Sequence, residues 1–308
     1  MYGHAQTIVT HVRDRGSPPP APPGTAWRAR SPDERLGEVT LRGIFCPCPG
    51  ADTAVVIVHG LGGSVDSGYC RRAATEARAL GMASLRLYLR GADRSGQGIY
   101  HAGLIDDLEA ATASPELASY QRIVVLGFSL GGHVALRLAL APPPRVAAVA
   151  AACSPLDLEA SCRAVDGPRK AVYRRYLLFG LLRMYARLAE RCEVPLELRE
   201  ARRIQRIRDW DEAIIAPWFG FADAADYYAR QSVGARLGEL VIPSLYVMSS
   251  DDPVVVADSV RPSLRSSERL TVRETRGGHL GFRPDLDLDL PGRPGIAGQL
   301  LGWLSRAP

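Results

Sequence analysis

Short apolar runs recur along the first half of this chain. Each is followed by a glycine-rich or polar turn and then by residues at helical spacing. Residues 54–58, 83–89, 122–127 and 146–152 read as strands; unbroken apolar runs such as those within 54–58, 123–126 and 146–152 suit strands covered on both faces. The stretches 68–80, 104–113 and 131–141 between them read as helices. Residues 38–45 alternate apolar and polar positions, the pattern of a half-buried strand. The rhythm breaks at Ser154-Pro155, and up to about residue 235 the text is helical. It resumes with strands at 241–248 and 269–274 and a last helix near 297–305. Such alternation predicts an α/β fold whose mainly parallel sheet is flanked by helices on both faces. The stretch 14–36, with Pro18-Pro-Pro20 and Pro22-Pro23, reads as an extended Pro-rich arm. The organisation expected is therefore an arm and linker at 1–37, a core at 38–153 and 236–308, and a helical cap insertion at 154–235.

The chemistry is carried by Gly127-Phe-Ser-Leu-Gly-Gly132. It follows the run Arg122-Ile-Val-Val-Leu126 and precedes Val134-Ala-Leu-Arg-Leu138, so the G-x-S-x-G pattern lies between a strand and a helix. A turn this sharp brings strand and helix backbones together and projects the serine from the strand tip, with the helix N-terminus behind it. Ser129 is the candidate nucleophile. A nucleophile on such an elbow is followed in the chain by an acid and then by a histidine. Of the two histidines downstream, His133 lies too near the serine, which leaves His279, in Arg276-Gly-Gly-His-Leu-Gly-Phe282. Between them an apolar run from Pro243 ends in Asp251-Asp-Pro253; Asp252 is the expected acid, and Asp251 the runner-up with a turn-forming role as its alternative. The run 54–58 ends in His59-Gly-Leu-Gly-Gly-Ser64. This Gly-rich turn is the expected source of one oxyanion donor, the Leu61 N–H, and the other is the N–H of Leu130. His59 reads as a residue that holds the turn. A metal on His59 and Asp66 is a weaker reading, because no third ligand has suitable spacing, and no metal or cofactor is expected.

Composition narrows the setting. With 308 residues and 46% hydrophobic content the chain can bury a large core. No stretch reaches the ~20 apolar residues of a membrane span, and residues 1–7 lack the features of a signal peptide. Six scattered cysteines, with Cys46-Pro-Cys48 lacking a second half, read as free thiols in a reducing cytoplasm. Lys170 is the one lysine among 38 basic residues, the bias of a GC-rich bacterial genome. The net charge of +5 is concentrated in 155–210, where thirteen cations face eight acids. Solvated helix faces account for this most simply, although anionic head groups would also be drawn to it. No nucleic-acid-binding module is present. Tyr173, Leu177, Leu181, Met184, Tyr185 and Leu188 recur at helical spacing; they are expected to pack as a cap face bounding an acyl pocket, ahead of touching a lipid surface.

Beyond the generic pattern, the chain resembles the YheT-like branch of α/β-hydrolases. The likeness runs through Gly3-His-Ala-Gln-Thr-Ile8, His59-Gly-Leu-Gly-Gly-Ser64 with Asp66-Ser-Gly-Tyr69, Leu89-Arg-Gly91 and Ile99-Tyr-His-Ala-Gly103. It continues in Gly127–Gly132, Tyr173-Arg-Arg-Tyr-Leu177, Asp223-Ala-Ala-Asp-Tyr-Tyr228, Asp251-Asp-Pro253 and Gly277-Gly-His-Leu-Gly-Phe282. One departure is a glycine, Gly62 or Gly63, where the family often has an acidic residue. The resemblance implies the α/β-hydrolase fold, with Ser129, Asp252 and His279 as a triad and relatives acting on medium-chain esters and phospholipids. The function expected is cleavage of carboxylic esters, small or lipid, through an acyl-enzyme. Acyl transfer to an alcohol and a non-catalytic binding protein are the alternatives, and peripheral membrane contact is compatible with either class.

Overall fold

A computed structural model describes residues 2–264 and 267–307. Eight strands form one sheet: β1 (Thr25–Asp33), β2 (Gly37–Cys46), β3 (Thr53–Val58), β4 (Ala83–Leu87), β5 (Arg122–Phe128), β6 (Val146–Ala152), β7 (Ser244–Ser249) and β8 (Leu270–Thr275). Their order is β1-β2-β4-β3-β5-β6-β7-β8. β1 with β2 and β2 with β4 are antiparallel, and every later pairing is parallel. The helices are α1 (Tyr2–Gly16), α2 (Gly68–Ala79), α3 (Asp106–Thr112), α4 (Leu130–Leu138), α5 (Leu158–Val165), α6 (Ala171–Ala189), α7 (Leu198–Ala201), α8 (Ile207–Trp210), α9 (Ala216–Phe219), α10 (Ala224–Gln231), α11 (Ala257–Val260) and α12 (Ile296–Arg306). α5 to α10 all lie between β6 and β7.

Alternate residues of the central strands divide the core. Val55, Ile57 and Leu126 pack with Ala73 and Ala77 of α2 and Leu300, Leu301 and Leu304 of α12. Val56, Val58 and Val125 face the other way, onto a cluster that continues through Val134, Leu181, Trp210 and Tyr228. Unbroken apolar runs are thus explained by burial on both faces.

The Pro-rich stretch differs from its reading as an arm. β1 begins at Thr25, and its inward residues Trp27, Ala29 and Ser31 alternate with Arg28 and Arg30 at the surface. The edge position tolerates Pro32, which cannot donate to a ladder. Trp27 donates to the Ser114 hydroxyl at 3.2 Å, and Arg90 joins β1 to α3 through buried ion pairs with Asp33 (2.8 Å) and Asp107 (2.7 Å). α1, absent from the sequence reading, packs against the segment 277–281. A β-carbon at Gly278 or Gly281 would collide with Thr7 or with the Gln6 carbonyl, so only glycine admits the helix there.

The sheet order sets where chemistry can occur. From β3 the chain goes to β4 on one side and then to β5 on the other, so the loops after β3 and β5 diverge at the strands' carboxyl ends. Crevices of this kind are where α/β sheets bind ligands.

Candidate active site

Ser129 stands at that crevice, between the last residue of β5 and the first of α4. Its backbone is at φ 52°, ψ −123°, a region costly for any residue but glycine. The strain is held by close packing: a β-carbon on Gly127 would lie 2.3 Å from the Gly131 carbonyl oxygen, and one on Gly131 2.5 Å from that of His59. No side chain fits at either position, and the strand-turn-helix path that projects Ser129 depends on both glycines.

The loops after β7 and β8 bring the other two residues to it. His279 Nε2 lies 3.1 Å from Ser129 Oγ, and His279 Nδ1 lies 2.8 Å from Asp252 Oδ2. Asp252 has a side chain 1% exposed, and its Oδ1 accepts the N–H groups of Val254 (2.7 Å) and Val255 (2.9 Å). With one oxygen held by two amides, the other is aimed at the imidazole. Asp251 is turned to the surface, where Arg276 donates to it at 3.0 Å; it does not reach His279. The N–H of His279 donates to Thr7 Oγ1 at 2.8 Å, so α1 positions the histidine loop. Thr7 falls in the stretch Gly3–Ile8 that carries part of the family resemblance, but it lies outside the motifs of the active-site chemistry, and the sequence alone does not mark this role.

The turn after β3 lies alongside. Gly60 N–H donates to the Tyr69 hydroxyl (3.2 Å) and Gly62 N–H to the Tyr100 hydroxyl (3.1 Å). Burial pushes both phenols up, Tyr100 to about 12, so each stays neutral and its oxygen accepts the amide. The two bonds bracket Leu61, and among the described residues its own N–H has no acceptor. Leu61 and Leu130 border the same cavity as Ser129. His59 is fully buried, with Nδ1 2.7 Å from the Gly60 carbonyl and Nε2 accepting from Leu89 N–H at 3.3 Å. Desolvation lowers it to about 4, which fits a neutral ring bolting the turn. Asp66 pairs with Arg71 and Arg86, so the donor atoms of the alternative metal pair are committed elsewhere. Cys153, Asp252 and His279 also group within 4.8 Å. Burial raises the Cys153 thiol well above its ordinary range, and a neutral thiol beside an already bonded carboxylate and imidazole is a poor ligand set.

Two cavities meet at Ser129. The inner one, about 120 Å³, is walled by Leu158, Val165, Leu177, Leu181, Ile207 and Trp210, among others. The outer one, about 580 Å³, runs past His279 between α1 and α6. Leu177 and Leu181 of the expected cap face therefore border the inner cavity, and Tyr173 borders the outer one. Met184 and Tyr185 differ from that expectation: both are buried behind the wall, with the Tyr185 ring set edge-on to Trp210 at 5.5 Å.

A polar group that sequence reasoning missed also borders the inner cavity. Asp211 opens a π-helical turn, Asp211–Ile215, and accepts from Tyr228 Oη at 2.6 Å. Burial pushes its carboxyl up to about 7, against the opposing pull of that hydrogen bond. Between the ordinary carboxylate range and about pH 7 the folded chain therefore holds a proton that the unfolded chain has released, and stability falls as pH rises through this window. Asp211→Asn keeps the acceptor without the charge. It is expected to unfold at higher urea than the parent at pH 8, by on the order of 2–4 kcal/mol, with little difference at pH 4. Equal shifts at both pH values would show that Asp211 is not protonated by folding.

Comparison with known proteins agrees with this architecture. A model of the alpha/beta hydrolase fold matches residues 53–283. The chain is 31% identical over 245 residues to YheT of Escherichia coli (strain K12), a protein with an esterase name, covering 74% of this chain and 70% of that one. Over 89 residues it is 35% identical to the medium-chain fatty acid ethyl ester synthase/esterase 2 of Saccharomyces cerevisiae, covering 29% of this chain and 20% of that one. The Pyrococcus furiosus esterase Pf2001 superposes with a TM-score of 0.54 at 17% identity, covering 86% and 91% of the two chains, a likeness of fold. With its sheet order, its elbow and these relatives, the chain belongs to the alpha/beta hydrolase fold family, in the YheT-like branch.

Proposed function

We propose that this protein is a serine hydrolase that cleaves carboxylic esters through an acyl-enzyme. The observation that carries the reading is the hydrogen-bonded series Ser129–His279–Asp252 at the junction of an apolar cavity and an open one. In the first step His279 Nε2 takes the Ser129 proton as Oγ bonds to the ester carbonyl carbon, and the carbonyl oxygen becomes an oxyanion held by the Leu61 and Leu130 N–H groups. Asp252 keeps the proton on Nδ1 and stabilises the imidazolium. The intermediate collapses, the alkoxide leaves with the proton from Nε2, and the acyl group remains on Ser129. Water, deprotonated by the same nitrogen, then attacks the acyl carbon and releases the acid and the free serine.

In this reading 154–235 acts as a cap over the site, and the inner cavity takes the acyl chain. Its volume has room for on the order of ten water-sized groups, the scale of a short or medium acyl chain. Each buried methylene contributes about 0.8 kcal/mol, roughly fourfold in kcat/KM. A p-nitrophenyl ester series is therefore expected to rise with chain length, peak at or below ~10 carbons, and fall beyond. Leu177→Ala, which opens the cavity wall, is expected to move the peak to longer chains while a fluorophosphonate probe still labels Ser129. A profile identical to the parent's would place the acyl chain elsewhere, and a parent that neither labels nor turns over any ester would leave a binding protein of this fold. Transfer to an alcohol is the second reading, favoured by the roomy outer cavity beside His279; added ethanol would then divert acid to ethyl ester. Six free cysteines support a cytoplasmic setting; among the described residues no helix is long and apolar enough to cross a membrane.

A further inference from the structure

Nine large apolar side chains are exposed among the described residues, and seven of them lie on only two helices, α1 and α6. On α1 they include Ile8, Val9 and Val12; on α6, Val172, Tyr176 and Phe179 recur at i, i+4 and i+7 and so share one face. Exposure reaches 62% at Val9 and Val12, 71% at Val172 and 58% at Phe179. The two helices are neighbours: His4 Nδ1 lies 2.9 Å from Tyr173 Oη, and the rings of His11 and Tyr176 meet edge-on at 5.0 Å. The outer cavity that reaches Ser129 opens between them, lined by Ile8 and His11 on one side and Val172 and Tyr176 on the other. Scattered exposed apolar residues are ordinary, but a cluster gathered around one opening marks an interaction surface.

The charge around this opening is mainly cationic: of the two acids that line it, Asp66 is paired with Arg71 and Arg86 and Asp14 with Arg72. α6 holds no acidic residue, and its Arg175 and Arg183 are exposed. The single acid of α1, Asp14, is held bidentately by Arg72 at 2.9 and 2.7 Å. Arg15 and Arg94 border the cavity. Among the described residues Arg15, Arg94, Arg175 and Arg183 make no ion pair. Arg94 is held at a positive φ of 61°, and its cation is disfavoured by partial desolvation and by the nearby charges of Arg183 and Arg15. Apolar groups ringed by unpaired arginines are complementary to a bilayer whose surface is anionic, not to a second copy of the same cationic face.

We propose that α1 and α6 form a docking surface for an anionic lipid bilayer, which seats the mouth of the outer cavity on the membrane so that a lipid ester enters directly. This rests on the hydrolase reading for the fate of the ester, but the docking itself does not depend on catalysis. The test is co-sedimentation of the purified chain with phosphatidylcholine vesicles, with and without phosphatidylglycerol, alongside hydrolysis of a soluble short-chain p-nitrophenyl ester. The parent and Ser129→Ala are expected to partition equally onto the anionic vesicles and poorly onto neutral ones, and added salt should weaken the binding. Val12→Asp combined with Phe179→Asp should abolish partitioning, and Arg183→Glu should reduce it about tenfold or more, with soluble-ester turnover kept within about twofold of the parent in both. Parent chain that cleaves the soluble ester but ignores anionic vesicles overturns the docking, as does a double variant that still binds. A parent that elutes as a dimer, and as a monomer once Val12 and Phe179 are changed, would assign the face to pairing of two copies instead. Failure to cleave any ester, with vesicle binding intact, would strike the hydrolase reading alone.

Discussion

Ser129→Ala is expected to lower ester turnover by ~10⁴–10⁶, since in the proposed mechanism removal of the attacking group leaves only binding and oxyanion stabilisation. The protein should stay folded. Ser129 Oγ bonds to His279 at the crevice, while the elbow is held by Gly127 and Gly131 packing on neighbouring backbone. Losing a hydroxyl there removes no core volume, and alanine meets the same positive φ that serine already tolerates. Steady-state hydrolysis of a p-nitrophenyl ester, with circular dichroism as the folding control, checks both parts. Activity within tenfold of the parent in a well-folded variant would remove Ser129 from the chemistry.

Asp252→Asn is expected to cost roughly 10⁴ in kcat, as in a comparable triad, and Asp251→Asn only a few-fold at most. The difference comes from geometry. Val254 and Val255 N–H groups occupy one oxygen of Asp252, so an asparagine there keeps its carbonyl on those amides and turns its NH₂ towards His279. An N–H facing Nδ1 selects the tautomer protonated on Nε2, which cannot accept the serine proton. Asp251 has only an exposed pairing with Arg276 to lose, and such pairs are worth little. Parallel kinetics of the two variants decide the matter: a larger loss from Asp251→Asn would mean that the acid is the neighbouring residue.

Much of this was open to a reader of the sequence, for identifiable physical reasons. Central strands buried on both faces are mostly apolar, so β3, β5 and β6 announce themselves as runs such as Val55-Val-Ile-Val58. The elbow needs glycine where backbones touch, so its pattern surrounds Ser129 whatever the rest of the chain does. The acid and the histidine follow in chain order at the tips of β7 and β8, which is why Asp252 and His279 were candidates before their 2.8 Å contact was known. β1 escaped because five prolines just ahead of it suggest a linker, while its evidence for being a strand, Trp27 alternating with arginines, is short and lies at a sheet edge.

By itself, then, the sequence determined the class of fold, the elbow, and the order of the three candidate residues, because those depend on local periodicity and on glycine's missing side chain. Only tertiary structure decided which of two adjacent carboxylates faces His279, since the choice rests on amides donated by Val254 and Val255 after the chain has turned. It alone decided that Thr7, some 270 residues away in the chain, holds the histidine loop. It also decided that Asp211 would be buried against a cavity and that the faces of α1 and α6 would lie side by side around the opening to Ser129. Contacts between residues far apart in sequence leave no periodic trace, because each half of such a contact is locally an ordinary polar or apolar residue.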